Sequence, residues 1–260
     1  MAKIEFKPGT MLNPVPAVMV SCGDETEQNI ITIAWTGIVN TDPPMTYISV
    51  RKERHSHDII ARTGEFVINL TTKDLAFATD YCGVRSGRKV DKFKDMNLTA
   101  STSRHVSCPS IGESPVNLEC KVLDVREFPT HDMFLAEIVG VSVEESLMDE
   151  KGRLCLEEAG LIAYSHGSYV ALQQEELGTF GYSVMKPKTR KRIAAQKQQD
   201  RRKRHDKQNH RDEQDQNGQN RRSNKERKNG KRPESPAGGQ TSRRKNSGRK
   251  HSHSSAKKIR

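Results

Sequence analysis

The chain has 260 residues, of which 44 are Lys or Arg and 33 are Asp or Glu, for a formal net charge of +11. That charge is unevenly placed: residues 1–185 carry 17 basic against 26 acidic side chains, net −9, and residues 186–260 carry 27 against 7, net +20. The second stretch has no aromatic residue and only Ile193, Ala194, Ala195, Ala237, Ala256 and Ile259 as apolar ones. Too little can be buried there to offset chain entropy. Residues 186–260 are therefore expected to form a disordered Lys/Arg/Gln/Asn-rich tail behind one folded domain over 1–185. Five cysteines (Cys22, Cys82, Cys108, Cys120, Cys155) are odd in number and widely spaced, with no CxxC pair. Their pattern argues against a disulfide framework and against zinc, and fits a reducing cytoplasm. The opening MAKIEFKPGTM has no continuous apolar stretch and IITIAW is too short to span a bilayer, so no membrane association is expected.

In chain order, β-branched-rich segments bounded by Pro, Gly, Asn or Asp predict strands over 15–22, 30–39, 45–50, 65–70, 116–128 and 133–145. Within 116–122, Val116, Leu118, Cys120 and Val122 alternate with Asn117, Glu119 and Lys121, the pattern of one buried and one wet face. The turn-rich FPTHDM joins the last two segments into a long antiparallel pair. Two helices are expected, one over 57–63 ended by Gly64 and one over 72–82 ended by Gly83. Strands outnumber helices without a regular βαβ alternation, which favours an antiparallel barrel or sandwich with a few helices and disfavours a Rossmann domain.

Two basic loops stand out. DYCGVRSGRKVDKF (80–93) follows the second helix stop. Ser86 offers a hydroxyl, Gly87 permits close approach, and Arg88, Lys89 and Lys92 supply charge, together a phosphate nest. On charge alone, a solvated turn with scattered cations explains as much. The other loop, SVRKERHS (49–56), follows a strand and opens a helix. Ser56 is placed to act as its N-cap beside Arg51 and Arg54, where the helix dipole and unpaired amides attract an anion. Neither GxxxxGK[ST] nor GxGxxG occurs, so no nucleotide triphosphate site is indicated. A phosphate monoester held between two such loops gains from being clamped on more than one side.

NPVPAVMVSC, NIITIAWTGIVNTDPP followed by ISVRKERHSHDII, GEFVINL, DYCGVRSGRKVDKF, and LIAYSHGSYVAL with LGTFGYSV occur in that order over residues 10–185. This series resembles the flavin reductase-like family of FMN-binding split-barrel proteins, most closely its flavoredoxin branch. The resemblance implies a split β-barrel that binds FMN at a two-fold homodimer interface. It places Asn29, Thr32, Ala34, Trp35 and Thr36 along one side of the flavin, with Ser49, Val50, Arg51, Arg54, His55 and Ser56 on the ribityl chain and phosphate. Ser86, Gly87, Arg88 and Lys92 complete the anion site, so Arg88→Ala is expected to weaken FMN retention. Trp35, the only tryptophan, suits core or dimer packing as well as it suits flavin contact. Tyr164 and His166 are candidates for the nicotinamide side, although a His beside Tyr in a strand is commonly structural.

The chemistry implied is hydride transfer from NADH or NADPH to the flavin and onward transfer of electrons to a second acceptor. An alternative is a flavoredoxin-type electron carrier with no nicotinamide oxidation of its own. A third is a flavoprotein tethered to RNA or ribosomes by its tail, whose cations and absent aromatics suit sequence-independent phosphate contact. A merely solubilising extension accounts for the tail's charge equally well.

Overall fold

The computed structural model describes residues 1–173, 176–196 and 198–199, and its internal contacts divide the chain into Met1–Leu177 and Gly178–Arg260. The first unit ends before the 185/186 boundary expected from composition.

That unit opens with β1 (Val15–Pro16), β2 (Val18–Gly23), β3 (Gln28–Ile33), β4 (Thr36–Thr41) and β5 (Pro44–Arg51). Helix α1 (His55–Thr63) leads to β6 (Glu65–Leu70) and then to helices α2 (Ala76–Val84) and α3 (Lys92–Asp95). Short β7 (Ala100–Ser101) and β8 (Ser110–Ile111) precede the long strands β9 (Val116–Glu127) and β10 (His131–Val143), and β11 (Ile162–Ser165) with β12 (Ser168–Ala171) follow. All pairings are antiparallel. The main sheet has seven strands in the order β3-β2-β6-β9-β10-β5-β4, accompanied by β1-β11-β12 and by β7-β8.

The strand order dictates closure. β3 and β4 are the two edges of the seven-stranded sheet, yet only Ala34 and Trp35 separate them in sequence. Two residues reach roughly 10 Å at full extension, so the sheet must curl until its edges nearly meet. The result is an antiparallel split β-barrel. The single strand expected over 30–39 is therefore two strands, and the one expected over 15–22 breaks at Ala17 because Val15–Pro16 pairs with β11 instead.

Alternation sorts the side chains. Val18, Val20, Cys22, Ile31, Ile33, Ile48, Val50, Phe66, Ile68 and Phe134 fill the barrel, and Ile59 and Ile60 of α1 pack into the same cluster. Met19 and Ile30 point to the other side, against Leu75, Ala78 and Cys82 in and beside α2 and Phe93 of α3. Strands β2 and β3 are thus buried on both faces.

Helix α1 ends as expected at Gly64, which takes the left-handed conformation at φ 68°. Its N-terminus differs from expectation. Arg54 is the N-cap residue with no side-chain cap bond, and Ser56 lies inside the helix, buried. Helix α2 also runs through Gly83 and stops at Arg85. Gly83 is there for a close approach: a Cβ at this position would sit 3.2 Å from Thr32 Cβ on β3.

In the second unit, residues 187–196 are helical (α4), where the composition predicted disorder. Pro187 is pre-organised for the first helical position, and Lys, Arg, Ala and Gln are strong helix formers. The Arg190 amide donates to the Lys186 carbonyl at 3.1 Å. The remainder of the expected disordered tail, from residue 200 onward, lies outside the described residues. No helix of the described residues is long and apolar enough to cross a membrane.

Candidate anion-binding site

The N-terminus of α1, the C-terminus of α2 and the buried strand β3 converge on a cavity of about 250 Å³. At the turn into α3, Lys92 is almost completely buried, 4 % exposed. Its ammonium donates to the Ile30 carbonyl at 2.5 Å and to the Cys82 carbonyl at 2.8 Å. Those two bonds satisfy a strand carbonyl and one of the carbonyls left open at the end of α2. Burial lowers the lysine's pKa, and the nearby Arg54 charge acts in the same direction. The third ammonium proton has no protein acceptor within the described residues, and the side chain lines the cavity.

Ser56, fully buried on the first turn of α1, accepts a 2.8 Å bond from Asn29 Nδ2. Accepting that bond leaves Ser56 its own hydroxyl proton to donate, either to the Cys22 sulfur beside it or to a ligand. Gly87 explains how the 84–90 loop packs here, because a Cβ on it would lie 2.2 Å from Asn29 Oδ1. Only glycine lets the loop close down on Asn29. Arg54, Arg85 and Ser86 complete the polar wall. Arg85 rests over the Tyr81 ring at 5.9 Å, and neither Arg54 nor Arg85 is held in an ion pair among the described residues. Glu53 also lines the cavity, with Arg51 on its carboxylate at 3.4 Å and Arg88 on its carbonyl. Cys82 behind the wall has its thiol pushed up to about 11 by burial, against the opposing pull of Lys92. It is a thiol at neutral pH and not a nucleophile.

Residues 11–173 match the flavin reductase like domain. The chain belongs to that family. Among solved members of this fold, flavoredoxin of Desulfovibrio vulgaris (Miyazaki F) is 28% identical, with a TM-score of 0.65 over 70% of this chain and 100% of that one. Flavoredoxin from Methanosarcina acetivorans is likewise 28% identical, with a TM-score of 0.65 over 71% of this chain and 100% of the other. An FMN-binding protein from Thermus thermophilus is 25% identical, with a TM-score of 0.58 over 69% of this chain and 98% of that one.

Within this flavin reductase-like barrel, the residues expected at a site separate into groups. Asn29, Arg54, His55, Ser56, Ser86 and Lys92 surround the cavity, with Gly87 packed on Asn29. His55 Nε2 lies 3.0 Å from Glu27 Oε1. Arg88 does not line the cavity; it pairs with Asp58 of α1 at 2.6 Å. Arg51 is likewise engaged, by Glu53. Val50 is fully buried in the barrel core, so its side chain belongs to packing. The hydroxyl of Thr32 donates to the Thr79 carbonyl, tying β3 to α2, and Thr36 donates to the Tyr47 carbonyl at 2.5 Å. Ala34 and Trp35 form the short crossing between the sheet edges, where the Ser49 amide donates to the Trp35 carbonyl at 2.9 Å.

Trp35 is 43 % exposed and therefore not a core residue. Its ring lies against His131 with centroids 4.6 Å apart, a partner that sequence spacing did not reveal. His131 belongs to β10 opposite Arg51, far from Trp35 in sequence. Arg85 was missed for a different reason: only the end of α2 turns it toward the cavity. Tyr164 and His166 belong to the β11–β12 hairpin. Tyr164 packs edge-on against Tyr169, and His166, exposed with φ 45°, sits in the two-residue turn with Gly167. Two consecutive positive φ values are the signature of a type I′ hairpin, a structural role for this histidine.

Proposed function

We propose that this chain is an FMN-binding oxidoreductase that takes reducing equivalents from NADH or NADPH and passes them to a second acceptor. The observation that carries this reading is the small cavity in which the buried Lys92 and Ser56 are joined by Arg54 and Arg85, neither held in an ion pair among the described residues. The donor set suits a terminal phosphate monoester: one buried ammonium, one buried hydroxyl, two guanidinium groups and the first turn of a helix. The family membership and the FMN-binding Thermus protein of the same fold support the choice of FMN.

Lys92 and Ser56 would hold the phosphate, with Arg54 and Arg85 balancing its charge. Asn29 fixes the Ser56 hydroxyl, and Gly87 keeps the 84–90 loop against Asn29. The exposed Trp35 and the half-buried His131 offer an aromatic pair to a planar ring. When bound, FMN supplies a ring that accepts a hydride and releases electrons singly or in pairs. The polypeptide needs only to bind, orient and leave one ring face accessible. A homodimer is part of the proposal. β4 exposes Ile38 and Val39, and the far half of β9 exposes Leu123 and Val125, apolar side chains that a second copy would cover. Five buried free thiols suit a reducing compartment such as the cytoplasm.

The likeness to two flavoredoxins favours a second reading, an electron carrier reduced by a protein partner. Chromatography of the flavin released from purified protein, calorimetric titration with FMN, and steady-state oxidation of NADH and NADPH test both readings. Bound FMN with nicotinamide turnover supports the reductase, and bound FMN without turnover supports the carrier. A colourless protein that gives no heat with FMN overturns both.

A further inference from the structure

We propose that the second unit is an RNA-binding arm whose docking begins at α4 and acts on the phosphate backbone without sequence preference. Lys186, Lys188, Arg190, Lys191 and Arg192 are all exposed on and beside this helix, and residues 178–199 contain no Asp or Glu. Lys186 and Arg190, like Lys188 and Arg192, stand at i,i+4, so the helix keeps like charges as neighbours. Each such pair costs a few tenths of a kcal/mol in the absence of a counter-charge. No ion pair among the described residues relieves them, and Arg190 is only laid over the Tyr182 ring, at 5.7 Å. A linear polyanion supplies the missing counter-charge along the whole helix.

The same bias continues in the sequence that follows, since residues 186–260 carry a net +20. A membrane surface is the weaker fit, because an interfacial helix needs a broad apolar face and α4 has only Ile193, Ala194 and Ala195. With no aromatic residue beyond Tyr182 on which bases could stack, contact falls on phosphates. The many Asn, Gln and Ser side chains of residues 196–260 can pair with the ribose 2′-hydroxyl, which favours RNA over DNA.

The test uses the full chain and a labelled single-stranded RNA of mixed sequence, with binding followed by anisotropy over a salt series. Five Lys or Arg contacts to single-stranded phosphates account for a slope of about 3.5 in log K against log salt. A full-length variant with Lys186, Lys188, Arg190, Lys191 and Arg192 all changed to Gln is therefore expected to lose up to about 3.5 of slope. When the salt is lowered fourfold, the variant is expected to gain up to about 100-fold less affinity than the parent. Unchanged flavin content and circular dichroism of that variant show that the barrel is intact. The proposal is overturned if the full chain ignores RNA at low salt, or if the variant keeps the parental slope. It is equally overturned if vesicles containing phosphatidylserine, or duplex DNA of equal length, bind more tightly than the RNA.

Discussion

Two cavities lie at opposite ends of α2, and they differ in sign. The larger, about 560 Å³, is lined by Leu75, Phe77 and Ala78 at the start of the helix, together with Asp74, Glu113 and Glu144. No Lys, Arg or His contributes to its wall among the described residues. The smaller, about 250 Å³, is lined by Cys82 and Arg85 at the helix end, with Lys92 and Arg54. Part of this contrast follows from the helix itself, whose positive end favours carboxylates and whose negative end favours cations. Lys92 on the Cys82 carbonyl is that kind of complement. The helix end needs no more than this one cation, whereas Arg54 and Arg85 add two charges with no ion-pair partner among the described residues. Volume alone would point to the acidic cavity, whereas the surplus of positive charge points the proposed phosphate to the smaller one.

The largest effect is expected from removing the charge that serves both structure and ligand. Lys92→Met leaves the buried Ile30 and Cys82 carbonyls without a donor. Unsatisfied buried acceptors cost about 1–3 kcal/mol each, so urea unfolding is expected to show a loss of about 3 kcal/mol. FMN affinity falls with it. Retention of parental stability would mean that the cation is replaceable by water and that the small cavity is wetter than its burial implies.

Arg54→Ala separates ligand from scaffold, because the Arg54 side chain has no ion pair among the described residues to lose. A charge-assisted hydrogen bond is worth about 1.5–3 kcal/mol, which predicts a rise of about 10- to 100-fold in the FMN dissociation constant with unchanged thermal unfolding. Glu144→Gln, on the wall of the acidic cavity, is the matched control and is expected to leave FMN affinity unaltered. A response to Glu144→Gln equal to that of Arg54→Ala would erase the distinction between the two cavities.

These expectations depend on contacts that the sequence disclosed only in part. Strand periodicity placed the barrel strands, and Gly64 ended α1 at a position requiring positive φ. Burial by distant segments was not visible. Asn117 and Glu119 read as the wet face of β9, yet both are buried. Glu119 accepts bonds from the Arg104 and His105 amides, the latter at 2.6 Å, while Asn117 donates to Asn69 Oδ1 at 2.8 Å. A polar side chain and an amide-rich loop can satisfy each other inside the protein, and alternation in one strand carries no sign of the loop. Gly83 was misread for a similar reason: a helix-stopping residue and one that permits a close approach to Thr32 look alike in sequence. The two basic loops were legible as cation sources. Which cations were already engaged was not, since Asp58 is distant from Arg88 in sequence.

The thiols behind the small cavity give a pH test. Burial raises Cys82 from 9.0 to about 11, and raises Cys22 from 9.0 to about 12 against a hydrogen bond from Ser56. A folded-state pKa above the unfolded value means that the unfolded chain releases its proton first. The stabilising contribution is complete below pH 9 and is lost as pH rises through about 11 and 12. Denaturant midpoints are therefore expected to fall across that window, and Cys82→Ala to flatten the portion between pH 9 and about 11. An unchanged slope in Cys82→Ala would show that this thiol is solvated in the folded state.

The smallest effect is expected at Arg88, the cation that the loop sequence made most prominent. Its guanidinium pairs with Asp58 at 2.6 Å, and both side chains are half exposed, at 50 % and 59 %. Exposed pairs contribute about 0–1 kcal/mol, so Arg88→Ala is expected to change stability by less than about 1 kcal/mol. With no lining role in the cavity, it should shift the FMN dissociation constant by less than about threefold, well below the effect of Arg54→Ala. Asp58→Asn sharpens the comparison. If Asp58 merely ties the 84–90 loop to α1, both variants weaken FMN binding slightly and alike. If instead Arg88 leaves Asp58 to take up the phosphate, Asp58→Asn tightens FMN binding while Arg88→Ala weakens it by 10-fold or more. Opposite signs in the two titrations would move Arg88 from the scaffold back into the site.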